Sequence, residues 1–200
     1  MITLHFFDFD QTLFETKNAI YKSYKYALKG WSYDLTEQKF EDLYMDSESF
    51  LANEGFDEET IKAIRLKKNN IYLEKYYKEI NPLQVQGIKK NYNDKFIIVS
   101  NTTTNTINTI LERFNLRNFF DDVIGVDTDI SLKRKHQDFS LYHYAYKKHL
   151  LALLTNDFKV IVYEDDEHGT WSAYAAMKEY NLWHNDRIKD FQIKFKPFVK

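Results

Sequence analysis

The sequence has no cysteine, so it offers neither a disulfide framework nor a thiolate metal site. That fits a reducing compartment, and a cytoplasmic location is expected. Proline and glycine are scarce, two and five among 200 residues. Asn and Asp must therefore serve many turns, and each remaining Gly or Pro becomes a positional marker. Long apolar runs are also missing. The longest aliphatic stretch, Leu150 to Leu154, falls far short of the roughly 18 residues that a membrane-spanning helix needs. No basic region precedes the first acids, so a secretory signal is not expected. A net charge of −2 supplies no field for a polyanion and argues against non-specific nucleic-acid binding. What remains is 44% hydrophobic, enough for one globular core with a modest insertion.

The chain is organised around its first residues, ITLHFFDFDQTLF. Ile2, Leu4, Phe6 and Phe7 form a short apolar run suited to a strand, and it breaks sharply at Asp8. In an extended end, Asp8 and Asp10 point the same way while Phe9 turns back to the core. Two close carboxylates repel each other, and a divalent cation relieves them. Mg²⁺ suits one or two carboxylates combined with substrate phosphate oxygens. One aspartate can then attack phosphorus while the other protonates the leaving oxygen and later activates water.

Beyond Phe14 the pattern turns helical for about sixty residues. Ile20, Tyr24, Ala27 and Leu28 share one helical face, with Gly30 placed to end it. Thr36 is the expected N-cap of a second helix carrying Phe40, Leu43 and Tyr44, closed by Gly55. Asp57, Glu58 and Glu59 open a long third helix with acids at its positive end, and Asn81-Pro82 stops it. Strand and helix alternation then follows. Phe96 to Val99, Val123 to Val126 and Val160 to Tyr163 are short apolar runs separated by helical patterns, and Phe191, Ile193 and Phe195 suit an edge strand. Such continuous runs imply an α/β fold, a Rossmann-like parallel sheet with helices on both faces. The helical block, residues 16–82, is expected as a small cap inserted in a core of residues 1–15 and 83–200. The polar residues that follow these strands lie where open α/β sheets bind ligands.

DFDQTLF resembles the first motif, DxDxT with following apolar residues, of the haloacid dehalogenase-like phosphohydrolase superfamily. The resemblance makes Asp8 the nucleophile and Asp10 the acid/base, and Gln11 stands where many members have glycine. Ser100-Asn101, in IIVSNT, matches the second motif, whose hydroxyl binds a phosphoryl oxygen. The third motif is a lysine that offsets phosphoryl charge. SLKRKHQDFSLYHYA offers Lys133 and Lys135, and comparison with the family pattern favours Lys135. VIVYEDDEHG resembles the Glu-Asp variant of the fourth motif. It implies Mg²⁺ held by Asp165, Asp8 and the backbone carbonyl of Asp10, with Glu164 acting through water or orienting Lys135. Asp166 and Glu167 are expected to be solvated, and Asp127 and Asp129 to serve the loop. Members with an insertion directly after the first motif carry a helical cap there, as in the β-phosphoglucomutase-like phosphatase subgroup.

The implied activity is a Mg²⁺-dependent phosphatase acting on a small phosphorylated metabolite or nucleotide through a phosphoaspartyl intermediate. The expected partner is a small-molecule phosphate ester. One alternative is a phosphomutase of the β-phosphoglucomutase type, which normally needs a polar group early in the cap, where this chain has Ile20. Another is a non-catalytic binding or regulatory relative, against which the intact acid pair argues. The six histidines form no closely spaced pair suited to zinc. Tyr24, Tyr44 and Tyr72 are read as core and boundary residues rather than a stacking platform.

Overall fold

A computed structural model of the protein describes residues 1–83, 89–128, 137–151, 157–165, 167–183 and 187–195. Five strands form one sheet: β1 (Ile2–Phe7), β4 (Asp94–Val99), β5 (Asp122–Ile124), β6 (Phe158–Glu164) and β7 (Ile188–Phe195). Their order is β5-β4-β1-β6-β7, and every neighbouring pair is parallel. Parallel pairing brings all the strand ends to one edge of the sheet, with β1 in the middle. The apolar runs are continuous because both faces are covered. Leu4 and Phe6 pack with Ile97, Val160 and Val162 and with residues from two helices, α6 (Gln137–Leu151) and α7 (Glu167–Trp183). On the opposite face, Phe7 stacks on Tyr163 at 4.3 Å and meets Phe96 edge-on at 5.2 Å. β7 shows the alternation expected of an edge strand from Phe191 onward, with Phe191 and Ile193 partly buried and Gln192 and Lys194 exposed, after a register shift that leaves Lys189 out of the pairing with β6. Helix α5 (Thr104–Arg113) buries Ile107, Ile110 and Leu111, and its N-cap is Thr103, whose hydroxyl accepts from the Thr106 amide.

The chain divides into two compact units, Met1–Phe14 with Pro82–Lys200, and Glu15–Asn81. The chain leaves and re-enters the larger unit through β2 (Phe14–Glu15) and β3 (Asn81–Pro82), which form a two-stranded sheet. The smaller unit holds α1 (Lys17–Leu28), α2 (Glu37–Met45), α3 (Ser47–Asn53) and α4 (Glu58–Glu74) around its own core of Tyr24, Leu28, Leu35, Leu43, Leu51 and Ile64. Tyr24 and Tyr72 are buried. Thr36 caps α2 through the Lys39 amide, and Asp57 caps α4 through the Thr60 amide at 2.7 Å.

Two local expectations are corrected here. Asp46 divides the second helix into α2 and α3, because its carboxylate accepts from the Glu48 and Ser49 amides and starts a new helix. Gly30 lies within a 3₁₀ turn, Lys29–Trp31, that continues α1, and Ser32 takes the left-handed conformation beyond it with φ 55°. The acids at the start of α4 and the left-handed Gly55 that follows α3 are as expected.

Candidate active site

The ends of β1, β4 and β6 build the site within the larger unit. The hydrogen-bond ladder outlasts β1 by one residue, as the Asp8 amide donates to the Tyr163 carbonyl at 3.0 Å. This fixes the Asp8 backbone between its neighbours. Phe9 is fully buried, whereas Asp8 and Asp10 remain partly accessible, so the acid pair faces away from the core. The chain then turns tightly: the Leu13 and Phe14 amides donate to the Phe9 carbonyl, and the Gln11 amide donates to the Phe14 carbonyl at 2.8 Å. Gln11 adopts φ 61°, a left-handed conformation in which glycine carries no steric penalty. Thr12 is buried, and its hydroxyl donates to Asp165 Oδ1 at 3.3 Å, tying the first turn to the end of β6.

Ser100 extends β4 in the same way, its amide donating to the Ile124 carbonyl at 3.0 Å. Its side chain is buried, and Asn101 beside it is exposed. Both line a small cavity with Asp8, Tyr142, Glu164 and Gly169. Oxygens of Asp8, Glu164 and Asp165 all lie within 4.8 Å of one another. Burial pushes the Asp8 carboxyl well above the usual carboxylate range, and the charges of Glu164, Asp10 and Asp165 add to the shift. A cation would relieve that repulsion. The donor set is entirely carboxylate oxygen, which fits a hard ion such as Mg²⁺ better than zinc.

Several contacts here carry no signal in the sequence pattern. Tyr142, read only as one residue of an apolar helix face, is buried and donates its phenolic hydrogen to Glu164 Oε1 at 2.5 Å. Burial together with the Glu164 charge pushes that phenol well above its ordinary range, so it stays a donor. Thr102 donates to Asp10 Oδ2 at 2.5 Å. Gly169, seen in the sequence only as the glycine after an acid run, permits the first turn of α7 to lie against Glu164. A Cβ at that position would meet the carboxylate at 2.5 Å.

The structure thus brings together Asp8, Asp10, Ser100, Asn101, Glu164 and Asp165. Lys133, Lys135, Asp129 and Asp166 lie outside the described residues. Asp127 does serve its loop, accepting from the Thr104 amide at 2.6 Å at the start of α5. Glu167 is exposed. His143 pairs with Glu179 and His149 with Asp122, each at 2.8 Å.

A family model described as haloacid dehalogenase-like hydrolase matches residues 6–179. The chain belongs to that family. Sequence comparison with curated proteins gives no significant match. Among solved structures, a haloacid dehalogenase-like family hydrolase from Streptococcus pneumoniae is similar, with 18% identity and a TM-score of 0.67 over 96% of this chain and 93% of that one. A predicted phosphatase from Clostridium acetobutylicum has 20% identity and a TM-score of 0.65 over 97% and 94% of the two chains. CbbY from Rhodobacter sphaeroides, in complex with phosphate, has 13% identity and a TM-score of 0.68 over 100% and 89%. At these identities the likeness is one of fold. Among the described residues, no helix is long and apolar enough to cross a membrane.

Proposed function

We propose that this hydrolase is a Mg²⁺-dependent phosphatase of small phosphate monoesters that works through a phosphoaspartyl intermediate. The observation that carries the reading is the convergence of Asp8, Glu164 and Asp165, with oxygens within 4.8 Å of one another, beside a cavity lined by Ser100 and Asn101. Phosphatases among the similar folds support the same reading.

Asp8 is the nucleophile. Its carboxylate oxygen forms a bond to phosphorus as the ester P–O bond breaks, and Asp10 delivers its proton to the departing oxygen. Asp10, now a carboxylate, takes a proton from water, whose oxygen attacks phosphorus. The bond from Asp8 to phosphorus breaks, inorganic phosphate leaves, and both acids return to their starting forms. The Ser100 hydroxyl and Asn101 bind phosphoryl oxygens, and Lys135 is assigned the charge-offsetting role on the family resemblance. Asp8, Asp165 and the Asp10 carbonyl would hold the cation, and Glu164 would act through water or orient Lys135. When bound, Mg²⁺ offsets the negative charge of the phosphoryl group and of the clustered carboxylates.

The unit of residues 15–81 is proposed as the substrate-selecting cap, since it is inserted directly after the first acids and has its own core. Ile20 belongs to the partly buried apolar residues against that core and brings no polar group, which favours a hydrolase over a mutase. The reaction is expected to take place in the cytoplasm. The test is a panel of phosphate esters with the purified protein, with and without Mg²⁺. Release of inorganic phosphate that depends on Mg²⁺ and is lost in Asp8→Asn supports the assignment. Equal turnover by Asp8→Asn overturns it.

A further inference from the structure

Strand β7 is the outermost strand of its sheet, and among the described residues it pairs only with β6. Its outer side therefore presents a row of backbone amides and carbonyls that another strand could use. The edge strand on the opposite side, β5, is three residues long, whereas β7 has eight. From Asp190 onward β7 keeps a regular register with β6, so its side chains alternate between the two faces. Phe191 and Ile193 pack against the core shared with α6 and α7, which leaves Asp190, Gln192 and Lys194 on the other face. Asp190 is bonded to Lys159 at 2.7 Å, yet its side chain stays 41% exposed. Lys194 is exposed, lies over the Tyr163 ring at 5.2 Å, and has no carboxylate partner among the described residues.

This pattern is complementary to itself. When two copies of β7 run antiparallel about a two-fold axis at Gln192, Asp190 of each copy faces Lys194 of the other, and Phe191 faces Ile193. Opposite charges and apolar pairs are the favourable cross-strand combinations. Registers centred on Asp190 or Lys194 set like charges against each other, and those centred on Phe191 or Ile193 set one of the two charges against Gln192 instead. Lysine on an edge strand ordinarily discourages pairing, but in this one register it meets an acid. An apolar ridge flanks the same edge. Trp171 of α7 is 67% exposed and meets Tyr174 edge-on at 6.3 Å, and Tyr174 lies 6.1 Å from Phe191. We propose that the outer edge of β7 is the interface for a second copy of this chain, joining two sheets into one through an antiparallel β7 pair centred on Gln192. The symmetry is two-fold, so the same surface serves both copies.

The experiment combines sedimentation velocity over about a 100-fold range of protein concentration with site-specific crosslinking. Wild type should pass from monomer to dimer as concentration rises. The chain has no cysteine, so Gln192→Cys supplies its one thiol. Residues facing each other across an antiparallel pair have Cα atoms about 4.5–5.5 Å apart, within reach of a disulfide. Diamide should therefore convert Gln192→Cys to a covalent dimer, while Tyr92→Cys, at a fully exposed position before β4, forms no such link. Lys194→Asp and Asp190→Lys each replace two opposite-charge pairs with two like-charge pairs, and each should weaken dimerisation about 10-fold or more. Mixed in equal amounts, the two variants should recover most of that loss as a heterodimer, because each copy then offers the charge that the other needs. Should a charge variant fold poorly, the crosslink decides, since Gln192 is exposed and lies outside the core. A wild type that stays monomeric throughout overturns the proposal, as does disulfide formation in Gln192→Cys no faster than in Tyr92→Cys. A dimer indifferent to both charge variants, or a mixture that binds no more tightly than its parts, overturns it too by placing the interface elsewhere.

Discussion

At the start of β5, Asp122 accepts from Lys148 at 2.6 Å and from His149 at 2.8 Å. Burial opposes its charge, but the hydrogen bonds from His149 and Lys148 outweigh burial and bring the carboxyl down to about 2. At the end of β1, Asp8 lies among Glu164, Asp10 and Asp165, and burial with those charges pushes it the other way. One sheet therefore carries aspartates whose charge stabilises the fold at its strand starts and one whose charge works against the fold at its strand ends. Asp121, beside Asp122, repeats the first pattern with Lys90 at 2.7 Å and the Phe96 amide at 2.7 Å. Acids that only hold a fold together are paired within it. Acids gathered against their own repulsion point to a cation and a charged substrate.

The largest expected effect comes from removing the charge of Asp8. Asp8→Asn should lower phosphatase activity by about 10³-fold or more, the scale seen when a nucleophile is lost. The same change should stabilise the metal-free protein. A raised carboxyl pKa means that folding favours the neutral form. Stability of the metal-free wild type then falls as pH rises from the ordinary carboxylate range through the raised folded value. The amide removes that penalty, and thermal unfolding in EDTA should show a higher midpoint, by about 2–4 °C per kcal/mol relieved. A lower midpoint would place Asp8 with the structural acids.

Next is Gly169→Ala. The added methyl would sit 2.5 Å from the Glu164 carboxylate. Relief requires movement of α7 or of Glu164, which also accepts from the buried Tyr142, so a loss of roughly 1–3 kcal/mol is expected in urea unfolding together with weakened Mg²⁺ binding.

Asp122→Asn should show the reverse of Asp8→Asn, a loss of roughly 1–2 kcal/mol at neutral pH with activity retained. The folded-state pKa is depressed, so this stabilisation is present above the ordinary aspartate range and is lost as pH falls toward about 2. Urea midpoints of wild type and variant should therefore converge in that acid window, and a constant gap would contradict the pairing account. The smallest effect is expected for Gln11→Gly. Relief of the left-handed strain at φ 61° is offset by the greater freedom of glycine in the unfolded chain, leaving a net gain within about 1 kcal/mol.

The core's strand assignments and the ends bearing Asp8, Ser100 and Glu164-Asp165 were legible because each apolar run stops at a polar residue. The helical unit was legible through caps such as Thr36 and Asp57, where a local side chain serves the helix it precedes. Contacts that refine the site were not. Thr102 reaches Asp10 across 92 positions, and Tyr142 sits on a helix face whose spacing reads as core. Periodicity reports which face is buried but not which buried hydroxyl meets a carboxylate. Asp46 was missed as a helix start because the apolar pattern continues past it, and only its bonds to the Glu48 and Ser49 amides reveal the break. Glutamine itself gives no sign of the positive φ at position 11, where only the glycine of the family pattern points to it, since the turn is fixed by the Phe9 and Phe14 carbonyls rather than by the residue's own preference.

The contrast between the two ends of the sheet is tested most directly by calorimetric titration of the metal-free protein with Mg²⁺, comparing wild type, Asp165→Ala and Asp166→Ala. The acids at the strand ends are expected to bind one ion, with binding strongly weakened in Asp165→Ala and little changed in Asp166→Ala. Thermal midpoints should follow the same order, rising with Mg²⁺ wherever binding survives. No Mg²⁺ binding by the wild type, or binding untouched by Asp165→Ala, would contradict the account.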